Sequence, residues 1–158
     1  MKRLSFLLAI FVAASVASAE PFVVVVRHAE KAANDPKDPD LSPAGRTRAE
    51  ALARILKDAG ITTIITSELK RTQETAAPLA KSIGVDPTVV PAKDYSTIVS
   101  KLQKGQGNAL LVGHGDTIPN IIKALGIETP IQIPDDDYTE LFVVILNAKP
   151  QLLRLRYP

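Results

Sequence analysis

The sequence predicts an α/β fold, a three-layer sandwich with a largely parallel central sheet and helices on both faces. Two observations carry this. Short apolar, β-branched runs recur along the chain, as strands buried on both faces require. Between them lie segments of helical period that open on capping residues and close on glycine, so strand and helix alternate.

Residues 22–26 (FVVVV) are the first such run. Residues 31–40 (KAANDPKDPD) are polar, carry two prolines and predict a loop. Ser42 is suited to cap a helix that has Pro43 at its first position. Ala49, Leu52, Leu56 and Ala59 follow at helical spacing, and Gly60 ends the run. Residues 61–66 (ITTIIT) predict a second strand, and a helix is expected from about 68 to 83, kinked or split at Pro78. A short strand at 88–90 and a helix around 98–102 come next. Residues 109–112 (ALLV) then lead into Gly113-His114-Gly115. Asp116 or Thr117 can cap the following helix, whose Ile118, Ile121, Ile122 and Leu125 share one face. Residues 141–146 and 152–157 predict two late strands joined as a hairpin.

The N-terminus predicts export. Lys2 and Arg3 precede an apolar stretch, and Ala17-Ser18-Ala19 has the form of a signal-peptidase site. The expectation is a cleaved leader, 1–19, and a single mature domain, 20–158, in the periplasm or outside the cell. The apolar stretch is shorter than the roughly 20 residues that a spanning helix needs, so no stable membrane insertion is expected after cleavage. The leader holds two of the 19 Lys and Arg and none of the 17 Asp and Glu, which leaves the mature chain formally neutral. Nucleic-acid binding therefore has no electrostatic support. With no Cys, the core must stand without disulfides. Oligomeric state is not readable.

The chain has two histidines, and each directly follows a strand-type run: His28 in Arg27-His28-Ala29-Glu30, and His114 between two glycines. In open α/β sheets ligands sit beyond the carboxyl ends of the strands, where both would fall. The chemistry suits a phosphorylated substrate. A phosphomonoester dianion repels a nucleophile unless cations surround its oxygens, and arginine does this with permanent charge and a forked geometry. A neutral imidazole whose other nitrogen is held can attack phosphorus and form a phosphohistidine.

Four motifs then stand in order: Arg27-His28-Ala29-Glu30 with Asn34; Leu41-Ser42-Pro43-Ala44-Gly45; Thr66-Ser67-Glu68-Leu69-Lys70-Arg71 continuing to Thr75-Ala76; and Gly113-His114-Gly115-Asp116. Together they resemble the histidine phosphatase superfamily, the phosphoglycerate-mutase-like proteins, and among them the short members. The resemblance implies a metal-independent, cofactor-free phosphomonoester hydrolase with His28 as nucleophile. Arg27 and Arg71 would clamp the phosphoryl oxygens, and His114 would complete the pocket. Asn34 would contact the transferring group or its leaving oxygen, and Gly115 and the Asp116 amide would add anion-binding donors at a helix N-terminus. Ala29 departs from the usual Gly. The general acid stays unassigned among Asp116, Asp94 and Glu30; Asp116 equally suits a helix cap, and Glu30 suits orienting the loop.

Other signals carry less. Asp135-Asp136-Asp137 has no calcium-loop spacing and predicts a solvated loop. Two histidines beside arginines do not make a zinc site. Gly105-Gln106-Gly107 lacks the G-K-[ST] of a phosphate loop, and Ser67 lacks a G-x-S-x-G setting and predicts a helix cap. The short segment between Gly84 and Lys101 leaves little room for the insertion mutases use. Two alternatives stand beside hydrolysis of a small phosphorylated substrate: a non-catalytic phosphate-binding module of the cell envelope, and a phosphohistidine-protein phosphatase.

Overall fold

The computed structural model describes residues 20–158, so the expected leader at 1–19 lies outside the described residues. The elements run β1 (Phe22–Arg27), α1 (Pro43–Leu56), β2 (Ile61–Thr66), α2 (Lys70–Ile83), β3 (Thr88–Val89), α3 (Tyr95–Lys104), β4 (Asn108–Gly113), α4 (Ile118–Ala124), β5 (Glu140–Ile145) and β6 (Gln151–Arg156). They build one six-stranded sheet of order β3-β2-β4-β1-β5-β6. The pairings among β3, β2, β4 and β1 are parallel; β5 runs antiparallel to both β1 and β6.

Strand alternation explains the layers. In β1, Val23 and Val25 face one side, packed with Ile98 and Leu102 of α3 and Ile118, Ile121 and Ile122 of α4. Val24 and Val26 face the other side, against Leu52 and Leu56 of α1 and Ala76 and Leu79 of α2. A residue period of two thus feeds two helix layers, which is why β1 is apolar from Phe22 to Val26.

Ser42 caps α1 as expected, accepting a hydrogen bond from the Gly45 amide at 3.1 Å, with Pro43 opening the helix. Two expectations for α2 are corrected. Pro78 sits inside a continuous helix and does not split it. The buried neighbours Thr75, Ala76 and Leu79 hold the helix against the sheet across the one hydrogen bond that proline removes. Ser67 is not the cap either: the cap position is Leu69, which makes no side-chain cap bond, and the Ser67 hydroxyl is engaged elsewhere.

Candidate active site

Sheet register brings the two histidines together. Arg27 pairs with Gly113 on the adjacent parallel strands β1 and β4, so His28 and His114 each lie one residue beyond the same rung. Their ring centroids are 5.4 Å apart. Thr66 of β2 pairs with Val112, which brings Ser67 to the same end of the sheet. This is the carboxyl end of the parallel strands, where the general rule for open α/β sheets places ligands. Here the convergence follows from main-chain pairing.

His28 is buried, and its Nδ1 lies 2.8 Å from the carbonyl of Ala29. A carbonyl only accepts, so Nδ1 carries the proton and Nε2 keeps a free lone pair. Burial lowers the ring's pKa from its ordinary value to about 3, against the Ala29 hydrogen bond and with the help of His114, Arg71 and Arg27. The ring is neutral at any ordinary pH and has its nucleophilic nitrogen bare. Two anchors fix the loop: the His28 amide donates to Gly113 O at 2.9 Å, and the Ala29 amide donates to Thr75 Oγ1 at 2.9 Å. Thr75 in turn donates to the carbonyl of Arg71, so one side chain ties the His28 loop to the helix that carries the second arginine.

Both guanidinium groups keep a nitrogen spare, and Arg27 is firmly held. Arg27 Nη1 donates to the carbonyls of Pro134 and Asp135 at 2.9 and 2.8 Å, and to that of Asp137 at 3.3 Å. Its plane also lies 4.3 Å from the centre of the Tyr138 ring, which stands 5.9 Å from the His28 ring. Arg27 Nε is buried without a hydrogen-bond partner among the described residues, and so is Arg71 Nε. Among the described residues, the Arg71 guanidinium has a 3.8 Å contact with Asp38 and no hydrogen bond. Buried donors are satisfied in folded proteins almost without exception, so two orphaned guanidinium nitrogens beside two imidazoles mark an anion site.

These groups line one cavity of about 470 Å³. Arg27, His28, Arg71, His114, Gly115 and Asp116 all border it, as do Lys31, Glu68, Lys93 and Asp135, to which the sequence reading gave no part in the site. Burial lowers the His114 pKa to about 4, with Arg71 adding to the effect and Asp116 and Glu68 opposing it. Among the described residues, no group of three His, Cys, Asp or Glu is arranged to hold a metal ion.

Three expected site residues lie elsewhere. Asn34 is outside the cavity lining; its amide donates to Asp40 at 2.7 Å, closing the 31–40 loop on itself. Asp94 caps α3, accepting from the Thr97 amide at 3.1 Å, and the Thr97 and Ser96 hydrogen bonds hold its carboxyl below the usual range, the wrong direction for an acid at neutral pH. Glu30 is clamped by Arg48 at 2.7 to 3.0 Å. Burial pushes its carboxyl up, but the Arg48 hydrogen bonds and its own amide outweigh that and leave it lowered. Its place is that of a loop anchor. Asp116 alone of the three acid candidates borders the cavity, and it is exposed. It does not cap a helix: α4 starts at Ile118 with Thr117 at the cap position, so neither Gly115 nor Asp116 belongs to the helix N-terminus. Three contributors were missed. Ser67 was visible but given another part, while Tyr138 and the carbonyls of Pro134, Asp135 and Asp137 carry no sequence signal for this role.

A sheet end and a helix that bring two imidazoles and two guanidinium groups with unpartnered Nε atoms to one cavity define a protein built around a phosphoryl-like anion. The histidine phosphatase superfamily (branch 1) model matches residues 23–92, just under half of the chain, and over that stretch the chain is similar to that superfamily. With the phosphatase folds that follow, the match makes the chain an enzyme of the phosphatase class. Solved structures of similar fold include the protein histidine phosphatase SixA complexed with tungstate, at TM-score 0.71 and 19% identity, covering 85% of this chain and 96% of that one. A mycobacterial glucosyl-3-phosphoglycerate phosphatase with VO3 aligns at TM-score 0.67 and 16% identity, over 87% of this chain and all (100%) of the other. A protein described as mycobacterial hydrolase 1 aligns at TM-score 0.63 and 16% identity, over 84% of this chain and 96% of the other. At such identities the likeness is one of fold. No curated protein matches the chain significantly in sequence.

Proposed function

We propose that this chain, after export, hydrolyses phosphomonoesters through a phosphohistidine at His28. The observation that carries the reading is the pairing of a neutral imidazole, its Nδ1 committed to Ala29 O, with two buried guanidinium Nε atoms that have no partner among the described residues. The phosphoryl group seats between Arg27 and Arg71, which neutralise its oxygens. The lone pair on His28 Nε2 attacks phosphorus, the P–O bond to the leaving group breaks, and the alkoxide takes a proton from an acid or from water. Water then attacks the phosphohistidine; the P–N bond breaks, releasing inorganic phosphate and returning Nε2 to its starting state. Charge that builds on the phosphoryl oxygens meets fixed donors, so little reorganisation is needed.

Hydrolysis of p-nitrophenyl phosphate in EDTA, wild type against His28→Ala, tests this. Turnover in EDTA is expected, with at least a 1,000-fold fall in the variant, of the order seen when a nucleophile is removed. Brief exposure to labelled substrate should leave an acid-labile, alkali-stable phosphoryl label on wild type only. Phosphate binding without turnover in either protein would instead make it a binding module.

A second reading, removal of phosphate from phosphohistidine on a protein, draws on the fold likeness to SixA. A phosphohistidine-bearing protein hydrolysed with far higher kcat/KM than small phosphomonoesters would select it.

A further inference from the structure

We propose that Ser67 and Thr72 are positioning residues for His114: an ordered pair of hydroxyls keeps a proton on its Nε2 and leaves Nδ1 as the nitrogen offered to the phosphoryl group. The argument is a count of protons. Thr72 Oγ1 lies 2.8 Å from the Leu69 carbonyl and 3.2 Å from that of Ser67. Carbonyls only accept, so the single Thr72 proton points to one of them. Thr72 Oγ1 is then an acceptor to everything else, including the Ser67 amide at 3.1 Å and the Ser67 hydroxyl at 3.0 Å. The Ser67 proton is thereby spent on Thr72. Its oxygen accepts from the Leu69 amide at 3.2 Å and from His114 Nε2 at 2.9 Å. Only one direction satisfies the whole chain: His114 Nε2–H to Ser67, Ser67 to Thr72, Thr72 to Leu69 O. Reversing it would set the Thr72 oxygen against a carbonyl oxygen at 2.8 Å with no proton between them.

Both hydroxyl residues are buried, at 4% and 0% exposure, so water does not compete for these bonds. The two imidazoles of the site therefore carry opposite tautomers. His28 has its proton on Nδ1 and attacks with Nε2; His114 has its proton on Nε2 and presents Nδ1. The titratable and charged groups that bear on His114 are Arg27 and the neutral His28 at the end of β1, Glu68 before α2, Arg71 on α2, and Asp116 before α4. None of them decides which nitrogen holds the proton. Ser67 does, which gives a specific task to a serine that the overall fold leaves without one as a helix cap.

The chain's two histidines make the test direct. Long-range proton–nitrogen correlation spectra of untagged, labelled protein at pH 7 should show His28 as the Nδ1–H form and His114 as the Nε2–H form. In Ser67→Ala, His114 loses that preference while His28 keeps its own. In Thr72→Val, a near-isosteric change, the freed Ser67 proton turns to Nε2 and His114 switches to Nδ1–H. Unchanged His28 signals in each variant report an intact fold. The kinetic arm rests on the phosphatase reading: Ser67→Ala should lose about tenfold in kcat/KM, mainly in kcat, the worth of one hydrogen bond to an ionisable ring. It should lose nothing more in a His114→Ala background. A wild-type His114 in the Nδ1–H form, or one unmoved by both variants, overturns the proposal. Switched tautomers with full activity overturn the part given to Nδ1. A wild type without turnover fails the phosphatase reading alone, since tautomers are read without substrate.

Discussion

Arg27 shows how a side chain can be immobilised and still left with work to do. Three carbonyls grip one corner of Arg27, and the Tyr138 face supports its plane, yet Nε stays buried and unsatisfied among the described residues. The cost of that orphaned donor is paid back when an oxyanion arrives. A guanidinium presents two parallel N–H bonds, whereas an ammonium is a point charge on a flexible stem. Arg27→Lys and Arg71→Lys therefore keep the charge and lose the fork. Each is expected to reduce kcat/KM about 100-fold, in the range found on removing one transition-state donor. Steady-state kinetics with p-nitrophenyl phosphate, together with the inhibition constant for inorganic phosphate, measure both. Equal loss in the two terms would mean that the fork serves the bound ground state as much as the transition state.

Among the elements, the close approach of α1 to the His28 loop is the tightest fit. A Cβ on Gly45 would lie 2.3 Å from Glu30 O and 3.0 Å from Glu30 N, both backbone atoms two residues beyond His28. That contact explains the glycine in Leu-Ser-Pro-Ala-Gly. Gly45→Ala is expected to cost about 2 kcal/mol by urea unfolding, as overpacking does, and to lower activity further by pushing the loop that carries the nucleophile. The strands and the α1 cap were legible because a β-branched run or a Ser-Pro pair acts over a few residues. The four motif residues Arg27, His28, Arg71 and His114 were legible because each needs its own chemistry. Asn34 and Asp94 misled because a polar side chain in a loop is free to serve the loop itself, and here both do. The grip on Arg27 was invisible for a different reason: the main-chain carbonyls of Pro134, Asp135 and Asp137 supply it, and every residue has one.

At the scale of the molecule, the site costs stability in a way that pH exposes. His28 and His114 are buried with pKa values lowered to about 3 and about 4, whereas in the unfolded chain each titrates near the ordinary 6.5. Between those values the unfolded state holds protons that the folded state does not, so stability rises with pH there. The contribution is fully present above pH 6.5 and is lost as pH falls toward 4 and then 3. Carboxylates such as Glu30 and Asp137, whose values lie below the ordinary range, start to matter only near the acid end of that window. From pH 7 to 5 the histidines therefore dominate, and the fold should lose on the order of 3 kcal/mol. Urea midpoints at half-unit steps of pH give the slope, which should approach two protons at pH 5 and fall to one in His28→Asn. Bound phosphate supplies the missing negative charge, so saturating phosphate should raise every midpoint by mass action. A midpoint that stayed flat from pH 7 to 5 would mean the imidazoles are not held neutral, and the bare Nε2 on which His28 depends would go with them.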